Sequence, residues 1–333
     1  MIVCVAGNPA IDKLFEVDAV RPGEIHRPDA FVPLPGGKGI HVAQVATALG
    51  ADAVATGILG GHQGRWLAET LADEGVPGVF AWASAGETRS CLTVADRATG
   101  GLTEFYEDGI RAAPEDWVGL AGIVDRLLGQ RPTWLAMAGS VPAARGVEGY
   151  AQLVRAARAA GVRSAVDSRG PDLARAIDQR PDLVKINAAE ACELLGTDRI
   201  DDVANARAAA ETIRVRAGGD GHAVVVTLAE QGMVLIDPAG DAWHGAVAAR
   251  GDYPVGSGDA FLAGLLTALA DDPADADADD ADAAGWARAA ALGLGAAAAN
   301  AEVPGAARLD PQRARALAAA AELHRLAGEQ PPL

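Results

Sequence analysis

Val255-Gly256-Ser257-Gly258-Asp259-Ala260-Phe261 is a glycine turn that opens into the apolar run Leu262 to Leu269, with one carboxylate in its first helical turn. Small residues let backbone N–H groups come close to a ligand, and a helix N-terminus carries partial positive charge that suits a phosphate. A carboxylate there repels a phosphate unless it has a task, such as taking a proton from a hydroxyl that then attacks the phosphorus. On that reading the N–H groups of Gly256, Ser257 and Gly258 form an anion hole for charge on a transferred phosphoryl group, and Asp259 is the general base. A lone Gly-x-Gly-Asp is weak evidence and by itself fits a structural turn better, so the chemistry depends on what accompanies it.

Pro35-Gly36-Gly37-Lys38-Gly39-Ile40-His41 also leads glycines into a helix, with one of only three lysines of the chain in the turn. Backbone donors there suit sugar hydroxyls and Lys38 suits an anionic group; an ordinary helix-opening turn is the alternative. It is not a Walker A loop, because the glycine spacing differs and no Ser or Thr follows the lysine. Asp12, in Asn8-Pro9-Ala10-Ile11-Asp12, sits after the first expected strand, where a carboxylate can hold a pair of sugar hydroxyls or cap a turn. Lys185-Ile186-Asn187-Ala188-Ala189-Glu190 reads as a strand end followed by a capping box. That role leaves room for Glu190 to order a magnesium-bound water and for Lys185 and Asn187 to face nucleotide phosphates. Thr227 to Gly232 is a strand running into a turn suited to nucleotide contacts. No histidines share a metal-ligand spacing, there is no Gly-x-Ser-x-Gly elbow, and the first strand lacks the dinucleotide fingerprint.

The elements that would position these residues alternate. Strands are expected at Ile2–Ala6, Trp134–Ala138, Val162–Asp167, Leu183–Ile186, Ala223–Thr227 and Met233–Ile236. Helices are expected at Ile40–Leu49, Trp66–Glu74, Val147–Ala160, Ala188–Leu195, Asn205–Arg216, Ala260–Ala270 and Ala284–Ala301. Such alternation implies a mostly parallel sheet covered by helices on both faces, an α/β fold with ligands at the strands' carboxyl ends. Leu14–Pro35 and Glu87–Gly109 break the rhythm with β-branched and aromatic residues in polar alternation, and read as a small separate sheet acting as a lid. Asp271–Ala284 is a low-complexity acidic stretch expected to be a solvated connection. Nothing divides the 333 residues into separate domains.

A net charge of −17 argues against nucleic acid or an anionic membrane as partner. Cys4, Cys91 and Cys192 are far apart and fit small buried residues in a reducing compartment. The N-terminus lacks a basic, long-apolar leader and no run approaches the ~20 residues of a membrane span, so a cytoplasmic location is expected.

In their order along the chain these pieces resemble the PfkB (ribokinase-like) carbohydrate kinases: Asn-Pro-Ala-Ile-Asp at 8–12, Gly-Gly-Lys-Gly at 36–39, Thr-Arg at 88–89, Ala-Gly-Ser-Val-Pro at 138–142, Lys-x-Asn-x-x-Glu at 185–190 and Val-Gly-Ser-Gly-Asp at 255–259. The opening motif and Glu104 in Leu-Thr-Glu-Phe resemble the branch of 1-phosphofructokinases and tagatose-6-phosphate kinases, whereas Gly-Gly-Lys-Gly is shared with ribokinase. The resemblance implies a three-layer α/β/α sandwich with a β-sheet lid, often paired through the lid in a homodimer, and MgATP as phosphoryl donor. It implies Asp259 as base with Gly256, Ser257 and Gly258 as anion hole. Asp12, Gly37, Lys38, Gly39 and His41 would face the sugar, and Arg27, Arg89 and Ser140 an existing phosphate of the acceptor. Lys185, Asn187, Glu190, Thr227 and Gly232 would serve nucleotide and magnesium, with Asn300 lining the adenine pocket. The expected acceptor is a phosphorylated ketohexose of fructose 1-phosphate, tagatose 6-phosphate or fructose 6-phosphate type. The alternatives are a kinase of an unphosphorylated sugar or nucleoside and a non-catalytic sugar-phosphate sensor. Four departures bear on this: the family usually has Asn at His41, a small polar residue at Tyr253 (which bears on a monovalent-cation site of some relatives), glycine at Ala229, and a less acidic and aromatic stretch than Phe105–Asp108.

Overall fold

The computed structural model describes residues 1–28, 31–142, 147–249, 251–271 and 279–327, and the side chains of 279–284 are not among them. In the first third the elements are β1 (Ile2–Ala6), β2 (Ala10–Val17), β3 (Phe31–Gly36), α1 (Lys38–Ala48), β4 (Ala53–Leu59), α2 (Gly61–Asp73), β5 (Ala81–Trp82), β6 (Arg89–Asp96) and β7 (Gly101–Tyr106). The middle holds α3 (Pro114–Leu128), β8 (Trp134–Ala138), α4 (Tyr150–Ala159), β9 (Arg163–Asp167), α5 (Gly170–Ile177), β10 (Leu183–Asn187), α6 (Ala188–Leu195) and α7 (Val203–Ala217). The chain continues through β11 (Ala223–Thr227), β12 (Met233–Ile236), β13 (Ala242–Ala246), α8 (Ser257–Asp271), α9 (Asp279–Ala301), α10 (Pro311–Ala319) and β14 (Glu322–Arg325).

Ten strands form one sheet in the order β14-β13-β12-β11-β10-β9-β8-β1-β4-β5. From β11 to β5 neighbours run parallel, and β12, β13 and β14 add an antiparallel edge. Strand alternation splits the core. In β1, Ile2, Cys4 and Ala6 pack with α1, α2, α8, α9 and α10, while Val3 and Val5 pack with α3 to α7 on the other face. The result is the three-layer α/β/α arrangement expected from the alternation.

The lid is a four-stranded sheet in the order β3-β2-β6-β7, with β2 and β6 parallel and the outer pairs antiparallel. It begins earlier than expected. β2 starts at Ala10, so Asp12 sits on a lid strand and not in a turn after β1. A Cβ at Gly36, across the ladder, would fall 2.3 Å from Asp12 Cγ, so only glycine leaves room for that carboxylate. Part of the acidic connection is also helical: α8 ends at Asp271 and α9 begins at Asp279, with 272–278 outside the described residues. Cys4 and Cys91 are buried and none of the three cysteines is in a disulfide. No described helix is long and apolar enough to cross a membrane.

Candidate active site

The carboxyl ends of β1, β8, β9, β10 and β11 meet the N-termini of α1 and α8 beneath the lid, around a cleft of about 550 Å³. Asp12, Gly37, Lys38, His41, Arg89, Ser140, Lys185, Asn187, Glu190, Thr227, Gly232 and Gly256 to Asp259 all line it. Motifs far apart in sequence therefore converge, because the parallel sheet aligns its strand ends and each next helix opens there.

At the centre, His41 bridges two carboxylates. Its Nδ1 lies 2.7 Å from Asp259 Oδ2 and its Nε2 lies 2.8 Å from Asp12 Oδ2. Burial works against charge on the ring, yet the bonds and charges of Asp12 and Asp259 outweigh it and raise its pKa to about 10. The side chain expected to meet sugar hydroxyls thus has both nitrogens engaged by acids.

A second network surrounds Asp167. Its Oδ1 accepts from Lys38 Nζ at 2.7 Å and its Oδ2 from Lys185 Nζ at 2.6 Å, while Lys38 also donates to Glu190 Oε1 at 2.8 Å. Burial raises the Asp167 carboxyl pKa, but the two ammonium groups outweigh burial and hold it below the usual range. Lys38 is raised above the ordinary lysine value: burial opposes its charge, and Asp167, Asp259 and Glu190 overcome that. Asn187 caps α6 as expected, its Oδ1 accepting from Glu190 N at 2.8 Å and Glu190 Oε2 accepting from Asn187 N at 2.9 Å. Asp167 was not apparent as a site residue in the sequence, since its only signal was its place at the end of an expected strand.

At the glycine turn Gly256 has φ +82°, a left-handed conformation that favours glycine. The Ser257 N–H donates to Pro254 O at 3.1 Å and so is already engaged, which narrows the expected anion hole. The N–H groups of Gly258 and Asp259 lie in the first turn, where no intrahelical acceptor exists. Asn300, expected at an adenine pocket, is fully buried and braces this turn, donating to Val255 O at 2.9 Å and Ser257 Oγ at 3.2 Å, and is not among the residues lining the cleft. Ala229, in the turn after β11, lines the cleft at φ +51°, a left-handed conformation that favours glycine.

Next to this cleft and sharing Asn8, Arg89, Tyr106, Ser140 and Arg169 with it is an open recess of about 800 Å³. Arg89 donates to Glu107 O at 3.2 Å and Asn8 O at 3.3 Å, and its Nε is buried without a partner. Arg111 and Arg169 line the same recess, and among the described residues none of the three arginines pairs with a carboxylate. Glu107 and Asp108 line the recess as well, so the three arginines leave it a small excess of positive charge, which suits an anion in so acidic a chain. Arg169 and Arg111 belong to no sequence motif and emerge only in three dimensions. Arg27 lies exposed in the β2–β3 loop, not on a strand, and lines neither space. Tyr253 O–H donates to Glu16 Oε1 at 3.2 Å, joining the segment before the turn to the lid.

The sequence profile of the pfkB family carbohydrate kinases matches residues 3–313. The chain is 33% identical to a 1-phosphofructokinase of Rhodobacter capsulatus over 267 residues, 80% of this chain and 83% of that one. It is also 33% identical to a 1-phosphofructokinase of Haloferax volcanii over 279 residues, 83% of this chain and 86% of that one. A crystal structure of phosphofructokinase-2 from Escherichia coli in complex with substrates and products superposes with a TM-score of 0.81 at 26% identity, covering 96% of this chain and 98% of that one.

Proposed function

The chain belongs to the pfkB family of carbohydrate kinases, and from that premise we propose that it transfers the γ-phosphoryl group of ATP to a hydroxyl of a phosphorylated ketohexose of fructose 1-phosphate type. The observation that carries this reading is the pairing, along one continuous space, of Asp259 at the glycine turn with Arg89, whose buried Nε has no partner. Asp259 takes the proton of the acceptor hydroxyl. That oxygen bonds to the γ-phosphorus as the bond to the β,γ-bridging oxygen breaks, and ADP leaves. The N–H groups of Gly258 and Asp259, with Gly256, face the charge on the moving phosphoryl group. Asp12 grips sugar hydroxyls, and Arg89 and Ser140, with Arg169 and Arg111 beside them, hold the acceptor's own phosphate.

Lys185, Asn187, Thr227 and Gly232 line the same cleft as the glycine turn, which supports a role for them at the nucleotide's phosphates and ribose. No group of three or more metal-ligating side chains occurs among the described residues. Glu190, a carboxylate lining the cleft, fits Mg²⁺, which keeps several waters and binds mainly through substrate phosphates. Glu190 would order one of those waters, exchanging its bond to Lys38, and the metal when bound neutralises developing phosphate charge. The lid's strands expose Phe31, Val32, Leu102 and Phe105, which supports pairing of two copies through the lid.

Arg89→Ala tests the acceptor assignment. Losing charged hydrogen bonds to a phosphate is worth roughly 1.5–3 kcal/mol, so KM for fructose 1-phosphate should rise about 10–100-fold while any turnover of fructose keeps its KM. An equal rise for both sugars would point to an unphosphorylated acceptor.

A further inference from the structure

Both nitrogens of the buried His41 ring lie within hydrogen-bond distance of carboxylate oxygens, Nδ1 at 2.7 Å from Asp259 and Nε2 at 2.8 Å from Asp12. An ionised carboxylate accepts and does not donate, so with both acids ionised each ring nitrogen carries a proton, and a ring that donates twice is an imidazolium. We propose that His41 is a positioning residue: as an imidazolium it clamps Asp259 to Asp12, fixing Oδ2 of the base and leaving Oδ1 to the acceptor hydroxyl. This rests on the reading of Asp259 as base and Asp12 as sugar grip given above.

The clamp does three things. An aspartate with one oxygen tied keeps the other in a single orientation, so the base is set before the acceptor arrives. The ring also joins three elements, since α1 carries His41, α8 carries Asp259 and the lid strand β2 carries Asp12. Seating of the lid on a sugar and alignment of the base are therefore mechanically one event. Finally, two carboxylates this close to an arriving polyphosphate would repel it, and the imidazolium cancels one of those charges.

The surroundings sustain the charged ring. The acids acting on it are Asp12 from β2 and Asp259 from α8. Lys38, one turn earlier on α1, acts on Asp259 and is itself held by Asp167 and Glu190. Cys91 on β6, close to Asp12, has its thiol pKa raised to about 11 by burial and stays neutral across the working range. The ring's own pKa, near 10, keeps it charged at neutral pH.

Two measurements on the full chain test the clamp. Histidine ring ¹⁵N NMR of the unsubstituted protein at pH 8 should show one imidazolium with two bonded protons, absent from His41→Asn; a neutral ring at His41 would overturn the proposal. In the pH–rate profile kcat should fall along an alkaline limb centred near pH 10. His41→Ala should lose that limb and at least about tenfold in kcat, with His41→Asn recovering part of the rate because its amide still donates to one acid. An unchanged limb, or full kcat in His41→Ala, would overturn it. Failure of the base reading is separately visible: turnover in Asp259→Asn would remove Asp259 as the base, while the imidazolium signature of the unsubstituted protein would stand.

Discussion

Replacing Asp167 by Asn removes one charge from the buried network and almost none of its volume. The carboxylate is fully buried, with Lys185 Nζ at 2.6 Å and Lys38 Nζ at 2.7 Å. An amide keeps one accepting oxygen and turns an NH₂ towards the other ammonium. Lys38 retains Glu190 at 2.8 Å, but among the described residues Lys185, 2% exposed, has no other carboxylate partner. Breaking a buried pair in this way costs about 3–5 kcal/mol, because it strands a charge out of water. Asp167→Asn should therefore lower the unfolding free energy by that amount in urea titrations at pH 7.5. The pH dependence has a definite sign. The Asp167 pKa is lowered on folding, so its contribution is present above the ordinary aspartate range and is lost as the pH falls through the folded value. The gap between the two proteins should hold steady from pH 8 to 5 and shrink only in stronger acid. A difference below about 1 kcal/mol at pH 7.5 would refute this account of the network.

Stability should also fall in mild alkali through His41. Its pKa rises from 6.5 to about 10 on folding, so its contribution is complete below 6.5 and is lost as the pH climbs towards 10. One such proton costs about 1.4 kcal/mol per pH unit between pH 7 and 9, a slope that urea titrations should find in the unsubstituted protein and not in His41→Asn. At the lid, Phe105, 60% exposed on β7, should tolerate Glu in the monomer but weaken pairing. Sedimentation velocity should read a dimer that Phe105→Glu dissociates, and a monomer at every concentration would remove the lid interface.

The sheet was largely legible because buried parallel strands such as Ala223–Thr227 read as unbroken apolar runs, and β1, β8, β11 and β12 fall at their expected bounds. β4, Ala-Val-Ala-Thr-Gly-Ile-Leu, was missed, since alanine and glycine carry little strand preference and only its place between β1 and β5 fixes it. β13 and β14 are edge strands stabilised by pairing more than by pattern. The site was legible wherever a glycine turn marked it. What sequence could not supply was pairing across the fold: that His41 answers to Asp12 and Asp259, that Asp167 holds both cleft lysines, and that Arg169 joins Arg89. Arg27 and Asn300 stand outside the cleft's lining for the converse reason, since position along a motif does not say which way a side chain faces.

Asp259→Asn tests the central claim most directly. The amide preserves the fit beside His41 but cannot take the acceptor's proton. In a steady-state assay of ATP turnover with fructose 1-phosphate, kcat should fall by roughly 10²–10⁴ with KM for both substrates almost unchanged. Turnover within a few-fold of the unsubstituted enzyme would contradict the assignment of Asp259 as the base.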